Sequence, residues 1–366
     1  MFDLKKMVLF MTSILAFGLF PTVVAQTTTL YVGTYTGIGG SEGVQCYEFD
    51  ESNGRTNFKS TLKMSNPSFL AKNGQVLYAV NEDNEGMVSA VDLKTGALLN
   101  QLPTQGAHPC HVAVSPNLPV LVVSNYSGGS LTLFSIKEDG RLGQQEDFIQ
   151  FDGSSVNKER QSKSHIHSAF FSKDGKRLFV SDLGADLIYV YEVKEEAGRF
   201  ALNRIDTIAV KKGGGPRHVV ISADAKTVYS VLELTGELAV FQQKGHEWKN
   251  TQILPIYATG FMGEHGAADI KISRDGRYVY ATNRGDANVI VCYEVLKDKS
   301  LRVKDITSTR GISPRNLNIS KSGNWVFVTN QVSNAITVFK RNPKKGTLQA
   351  LDSLKISVDK PVCVIY

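Results

Sequence analysis

The chain has 366 residues, 42% hydrophobic and 21% charged, with 41 Lys and Arg against 35 Asp and Glu for a formal charge of +6. The basic residues are scattered, with no Lys/Arg tract and no repeated interleaving with aromatics, which excludes nucleic acid as an expected partner. The length suffices for one repeat domain, since such folds exceed ordinary domain size without splitting.

Residues 1–25 read as a leader. Lys5 and Lys6 form a basic start, Met7 to Phe20 an apolar run, and Val23-Val24-Ala25 a small-residue cleavage site before Gln26. The apolar run is shorter than the ~20 residues a membrane span needs. The expectation is an exported protein, periplasmic or secreted, with no stable membrane insertion after cleavage. The mature chain, 26–366, is then a single domain.

From the head of that domain, TTTLYVGTYTG reads as one strand and GVQCYEFD as the next. One phrase then recurs six times: PSFLAKNGQVLYAVNE, PCHVAVSPNLPVLVVSNY, IHSAFFSKDGKRLFVSDL, PRHVVISADAKTVYSVLEL, AADIKISRDGRYVYATNR and PRNLNISKSGNWVFVTNQ. Each is an apolar strand, a polar turn and a second strand. A single position runs through them as Ser68, Cys110, His167, Arg217, Ala268 and Arg315, at spacings of 42, 57, 50, 51 and 47 residues. That period is a four-stranded propeller blade. The chain stops at DKPVCVIY, which supplies a first strand only, with Val362 at the same position. Tail and head together make a seventh blade. The expected fold is all-β: a seven-bladed β-propeller of four-stranded antiparallel blades, closed by a composite terminal blade.

Cys46 and Cys292 take equivalent third-strand positions two blades apart, and Cys110 and Cys363 start inner strands two blades apart, so the four cysteines are expected to be free, half-buried thiols. The Ser-x-Asp-Gly turns read as structural. The longest interval carries FDGSSVNKERQSKSHIH, a polar loop with Arg160, Gln161 and His165 that arrives beside His167.

In a blade, the start of the first strand and the end of the second meet at one rim. The second-strand ends are Glu82, Tyr126, Leu183, Glu233, Arg284, Gln331 and Tyr35. Blades 3 to 5 therefore gather His167, Arg217, Glu233 and Arg284 on one arc, with Arg315 near them. Converging arginines suit a carboxylate or phosphate held bidentately, and a histidine supplies an acid or base. Such a set fits the opening or closing of a lactone. Bland readings stand beside it: Arg217–Glu233 as a structural ion pair, Arg284 as a loop cap, His167 as a rim histidine joining blades. His111 and His218, one residue further along, read as packing residues.

The chain resembles the seven-bladed lactonase propellers, which include a bacterial 6-phosphogluconolactonase and the fungal carboxymuconate lactonizing enzyme. The resemblance rests on HIHSAFFSKDGKRLFVSDLGAD, GGGPRHVVISADAKTVYSVLEL, AADIKISRDGRYVYATNRGD, SPRNLNIS, LYVGTYTG and VVSNYSGGS, and covers residues 28–366. It implies that His167, Arg217, Glu233 and Arg284 form the catalytic set, with no metal and no organic cofactor. An export leader departs from the cytosolic phosphogluconolactonase pattern and points to an extracytoplasmic substrate.

The first expectation is a hydrolase of a sugar lactone with an anionic or polyhydroxylated body. Arg315, His165, Arg160, Tyr126 and Glu82 would contact the substrate, and either His167 or Glu233 would be the base. The alternatives are a muconate-type cycloisomerase and a non-catalytic anion- or carbohydrate-binding propeller. A closed ring needs no partner chain, so a monomer is expected.

Overall fold

The computed structural model describes residues 27–366; the expected leader lies outside the described residues. The described residues form seven antiparallel sheets of four or five strands arranged as blades. Blades 1 to 6 run from Leu70, Pro109, Ile166, Pro216, His265 and Pro314. The seventh pairs the tail strand Pro361–Ile365 with the head strand Thr27–Thr34, which continues into Gly43–Asp50 and Thr56–Lys63. Head and tail thus share one sheet, as the repeat predicted. Among the described residues the one helical element is a short 3-10 turn, Asp352–Leu354, so none is a helix able to cross a membrane.

Seven separate apolar clusters hold the ring, each lying between two neighbouring blades. Strands of four to eight Val, Ile, Leu, Phe and Tyr residues present apolar side chains on both faces, so each sheet packs against both neighbours. At the seam between blades 6 and 7, Phe49 meets Trp325 and Phe327 edge to face at 5.8 and 4.8 Å. Trp325 Nε1 also donates to the Glu51 carbonyl at 3.0 Å. The four cysteines are free, as expected, but buried rather than half-buried, each lying on a strand packed against its neighbours.

The recurring rim position has a backbone device of its own. In blades 2 to 7 the pairing between inner and second strand slips at Cys110, His167, Arg217, Ala268, Arg315 and Val362. Each slip is a β-bulge, which leaves that residue unpaired and re-aims its side chain. The amide of the second-strand end bonds the carbonyl two residues before the recurring position: Glu82 to Asn66, Tyr126 to His108, Leu183 to His165, Glu233 to Gly215, Gln331 to Ser313 and Tyr35 to Lys360. In the fifth blade Arg284 pairs with Gly266 in the ladder. The two series of rim residues are therefore adjacent in every blade.

The Ser-x-Asp-Gly turns are structural. Ser172, Ser222 and Ser273 each donate to the Asp two residues on, and Gly175 and Gly276 take the positive φ that closes the turn. Asn125 and Asn283 latch their strand ends to Thr104 and Ile256 carbonyls.

Candidate active site

Glu233 stands at the centre of the rim arc, 7% exposed, with both carboxylate oxygens engaged. Oε1 lies 2.7 Å from Arg160 Nη2. Oε2 lies 2.9 Å from Arg217 Nε, 3.0 Å from Arg284 Nη2 and 4.0 Å from His167 Nε2. Burial pushes its pKa up, but the charges of Arg284, Arg217 and Arg160 outweigh that and hold it well below the usual carboxylate range.

The arginines are fixed in turn by main-chain oxygens. Arg217 Nη1 donates to the Ala268 carbonyl of the next blade, and Arg284 Nε to Gly266 at 3.1 Å. Arg217 Nε is close to Glu233 but lacks hydrogen-bond alignment, and no other described group takes it. Burial, then Arg284 and Arg315, lower the Arg217 pKa to about 10, so it still carries its charge at neutral pH.

His167 is 5% exposed, with Nδ1 3.9 Å from Cys110 Sγ and its ring edge-on to Tyr126 at 5.5 Å. Burial and the charges of Arg217, His218, Arg315 and Arg284 drive its pKa well below that of an ordinary histidine. The resting imidazole is neutral and able to accept a proton.

The long polar loop straps over this arc. Gln161 Nε2 donates to the Leu183 carbonyl at 2.9 Å and to Asp186 Oδ1 at 2.7 Å. Asp186 also accepts the amides of Gly213 and Gly215, which lead into Arg217. Gly184 packs against the strap so tightly that a Cβ there would meet the Lys163 carbonyl at 1.9 Å. So anchored, the strap places Arg160 on Glu233 and 3.2 Å from the Tyr126 hydroxyl. Tyr126 stacks on His165 at 4.5 Å. His165 Nδ1 faces the Tyr126 carbonyl at 3.0 Å, so this histidine braces Tyr126 and makes no contact with Glu233.

Arg315 forms a second group further round the rim. Its Nη2 donates to the Tyr35 hydroxyl at 3.0 Å, which donates to Glu82 Oε2 at 3.0 Å. Tyr35 was visible only as the seventh second-strand end, with nothing to single it out. Asp186 and Asp182, which accepts the His165 amide, were also missed; in SDLGAD, Asp182 is the last residue of its strand and Asp186 lies in the turn after it, where carboxylates commonly anchor loops. His218 is more than a packing residue: its Nδ1 sits 2.7 Å from buried Asp269. A charged residue one step beyond the rim position of the next blade was the available signal for that pair. Among the described residues, no group of three or more His, Cys, Asp or Glu is disposed to hold a metal.

Around this site lies a cavity of about 390 Å³, lined by Asn157, Arg160, Glu233, His265, Arg284 and Ser313 among others. An anchored carboxylate, three guanidiniums and a neutral imidazole at one channel mouth can bind an anion, polarise a carbonyl and move a proton.

A family profile described as lactonase, 7-bladed beta-propeller, matches residues 29–366. The chain belongs to this family of lactone hydrolases. It is 33% identical to a 6-phosphogluconolactonase of Formosa agariphila over 335 residues, covering 88% of this chain and 95% of the relative. It is 30% identical to the 6-phosphogluconolactonase of Bacillus subtilis, with 92% and 97% covered. The solved periplasmic gluconolactonase of Pseudomonas aeruginosa superposes with a TM-score of 0.83 at 33% identity, covering 93% of this chain and 98% of that one.

Proposed function

We propose that this lactonase hydrolyses a sugar lactone of the glucono-1,5-lactone kind outside the cytoplasm, at the rim of blades 3 to 5. The observation that carries the reading is a buried His167 with Nε2 4.0 Å from a carboxylate locked between three arginines. Glu233 has both oxygens taken by guanidiniums and serves to hold them in place. His167 is the base.

In this mechanism a water gives its proton to His167 as its oxygen attacks the lactone carbonyl carbon. Arg217 and Arg284 receive the tetrahedral oxyanion, already oriented and desolvated, so little reorganisation accompanies the charge. Collapse breaks the bond to the ring oxygen, which takes the proton back from His167 and leaves as a hydroxyl. The product acid then ionises, releasing one proton per turnover. The Arg160 side chain is 44% exposed and sits on Glu233 from a loop, so it closes over the body of the substrate in the adjoining cavity. Tyr126, Arg315 and Glu82 offer further donors and acceptors to its hydroxyls. The leader-like residues 1–25 and the periplasmic relative both favour export.

The test is hydrolysis of glucono-1,5-lactone and its 6-phosphate by residues 26–366, corrected for spontaneous opening, beside His167→Ala and Arg217→Ala. Turnover lost in both folded variants supports the site, and the ratio of the two rates reads phosphate recognition. No turnover of either lactone by the parent protein rejects the substrate class.

A further inference from the structure

The inner strands run from the site rim to the far mouth of the channel, and there the chemistry changes. A cavity of about 360 Å³ opens at that mouth, lined by Lys271, Arg274, Asn318, Lys321 and Tyr366 among others. Three of its lining side chains are cations, Lys271, Arg274 and Lys321, and the carboxylate beside it, Glu51, is already held by the Ser320 and Ser322 hydroxyls. Arg274 and Lys321 are exposed and have no ion-pair partner within 4 Å among the described residues. Lys72 stands close enough that Lys321, after burial, lowers its proton affinity. Like charges gathered in one concavity repel, and a small anion of high charge relieves that repulsion.

The cavity is wired to the catalytic rim. Lys271 Nζ bonds both oxygens of Asp269 at 3.0 and 2.9 Å. Asp269 is fully buried and also accepts from Asn316 Nδ2 at 2.6 Å and the Leu317 amide at 3.0 Å. Its Oδ1 holds His218 Nδ1 at 2.7 Å, and the His218 ring centre lies 5.3 Å from that of His167. His218 Nε2 is buried without a partner.

We propose that the far mouth is a second, non-catalytic anion site for a small multivalent oxyanion, sensed at the catalytic rim through Lys271, Asp269 and His218. An anion drawn in by Arg274 and Lys321 shares the Lys271 ammonium with Asp269. Asp269 then has less compensating charge, leans more on His218, and raises the proton affinity of that imidazole beside His167.

The experiment is histidine NMR of the folded 26–366 protein titrated with inorganic phosphate, in the parent and in Arg274→Ala/Lys321→Ala. Neither substituted residue touches the catalytic rim. The parent should show two saturations, one at His167 and His165 from phosphate on the rim arginines, and one at His218 with its titration midpoint moved upward. In the double variant the His218 response should vanish while the rim response remains. A His218 response that survives the substitutions, or no His218 response in the parent, overturns the proposal. The readout needs no turnover, so it stands apart from the substrate assignment.

Discussion

Arg217 Nε lies 2.9 Å from Glu233 Oε2 yet is not aligned to donate to it, so the pair attract without completing a hydrogen bond. A buried donor in that condition is poised for an oxygen that arrives later. Lysine at this position keeps the charge and loses the planar fork. Arg217→Lys should fold and lose about 10²-fold or more in kcat, the cost of removing one oxyanion donor. Steady-state kinetics on the preferred lactone checks this, with circular dichroism confirming the fold.

Glu233 and Arg160 should separate stability from catalysis. Glu233→Gln leaves buried Arg217 and half-buried Arg284 without their counter-charge, which costs on the order of 3–5 kcal/mol of stability. Arg160→Ala removes a half-exposed partner and should cost within about 1 kcal/mol, while raising KM. Urea unfolding and KM measured on the same preparations test both. Equal stability losses would contradict the anchoring described for Glu233.

The pH profile follows from the neutral state of His167. Its pKa is depressed by burial, by Arg217, His218, Arg315 and Arg284, with Glu233 and Cys110 as the facing groups of opposite or neutral character. With His167 as the proposed base its neutral form is the active one, so kcat/KM should stay flat as pH falls through 6.5 and drop only well below it. A fall centred at an ordinary histidine value would show that His167 is not the base.

Stability should respond to pH through a wider set of histidines. His111, His167 and His218 are all buried and neutral, the last with a pKa lowered to about 4. Between pH 6.5 and 4 the unfolded chain takes up protons that the folded His218 does not, so stability falls as pH falls through that window. Each such histidine contributes a slope of up to about 1.4 kcal/mol per pH unit. Denaturant titrations at stepped pH measure it, and His218→Gln should flatten the curve.

The ring seam gives a prediction about the fold alone. Phe327 is fully buried between blades 6 and 7 against Phe49. Phe327→Ala should cost about 3–5 kcal/mol through lost burial and the cavity it leaves. Thermal melting with the lactonase rate measured below the transition would show the site itself unaffected.

Much of this could be read from residues alone because the repeats supply their own alignment. Comparing blades isolated His167, Arg217, Glu233 and Arg284 as departures from a shared phrase, and the same comparison exposed the split seventh blade. What it could not supply was which second-strand end bonds which neighbour across a blade gap. Tyr35 joins Arg315 to Glu82 across three blades, and no spacing rule connects residues 280 positions apart. His218 misled for a related reason. Strand alternation points it away from His167, but the bulge beside Arg217 breaks that alternation: the His218 ring lies 5.3 Å from His167 and 5.7 Å from Phe69 of the first blade, with Nδ1 on buried Asp269. The anchoring of the strap by Asp186 was likewise hidden, since loops of this length have many possible docking partners.

The bulge that interrupts the inner strands of blades 2 to 7 separates what is displayed from what holds the sheet. A residue in the ladder is constrained by its neighbours on both faces, whereas the bulged residue is answerable mainly to the channel. Four of the seven equivalent positions carry small or apolar residues, Ser68, Cys110, Ala268 and Val362. They are interchangeable sockets around one opening, and an altered side chain there can meet a new ligand while the blade behind it stays as it is. Diversity of substrate among such rings then needs no change of architecture, only a different choice of plug in each socket.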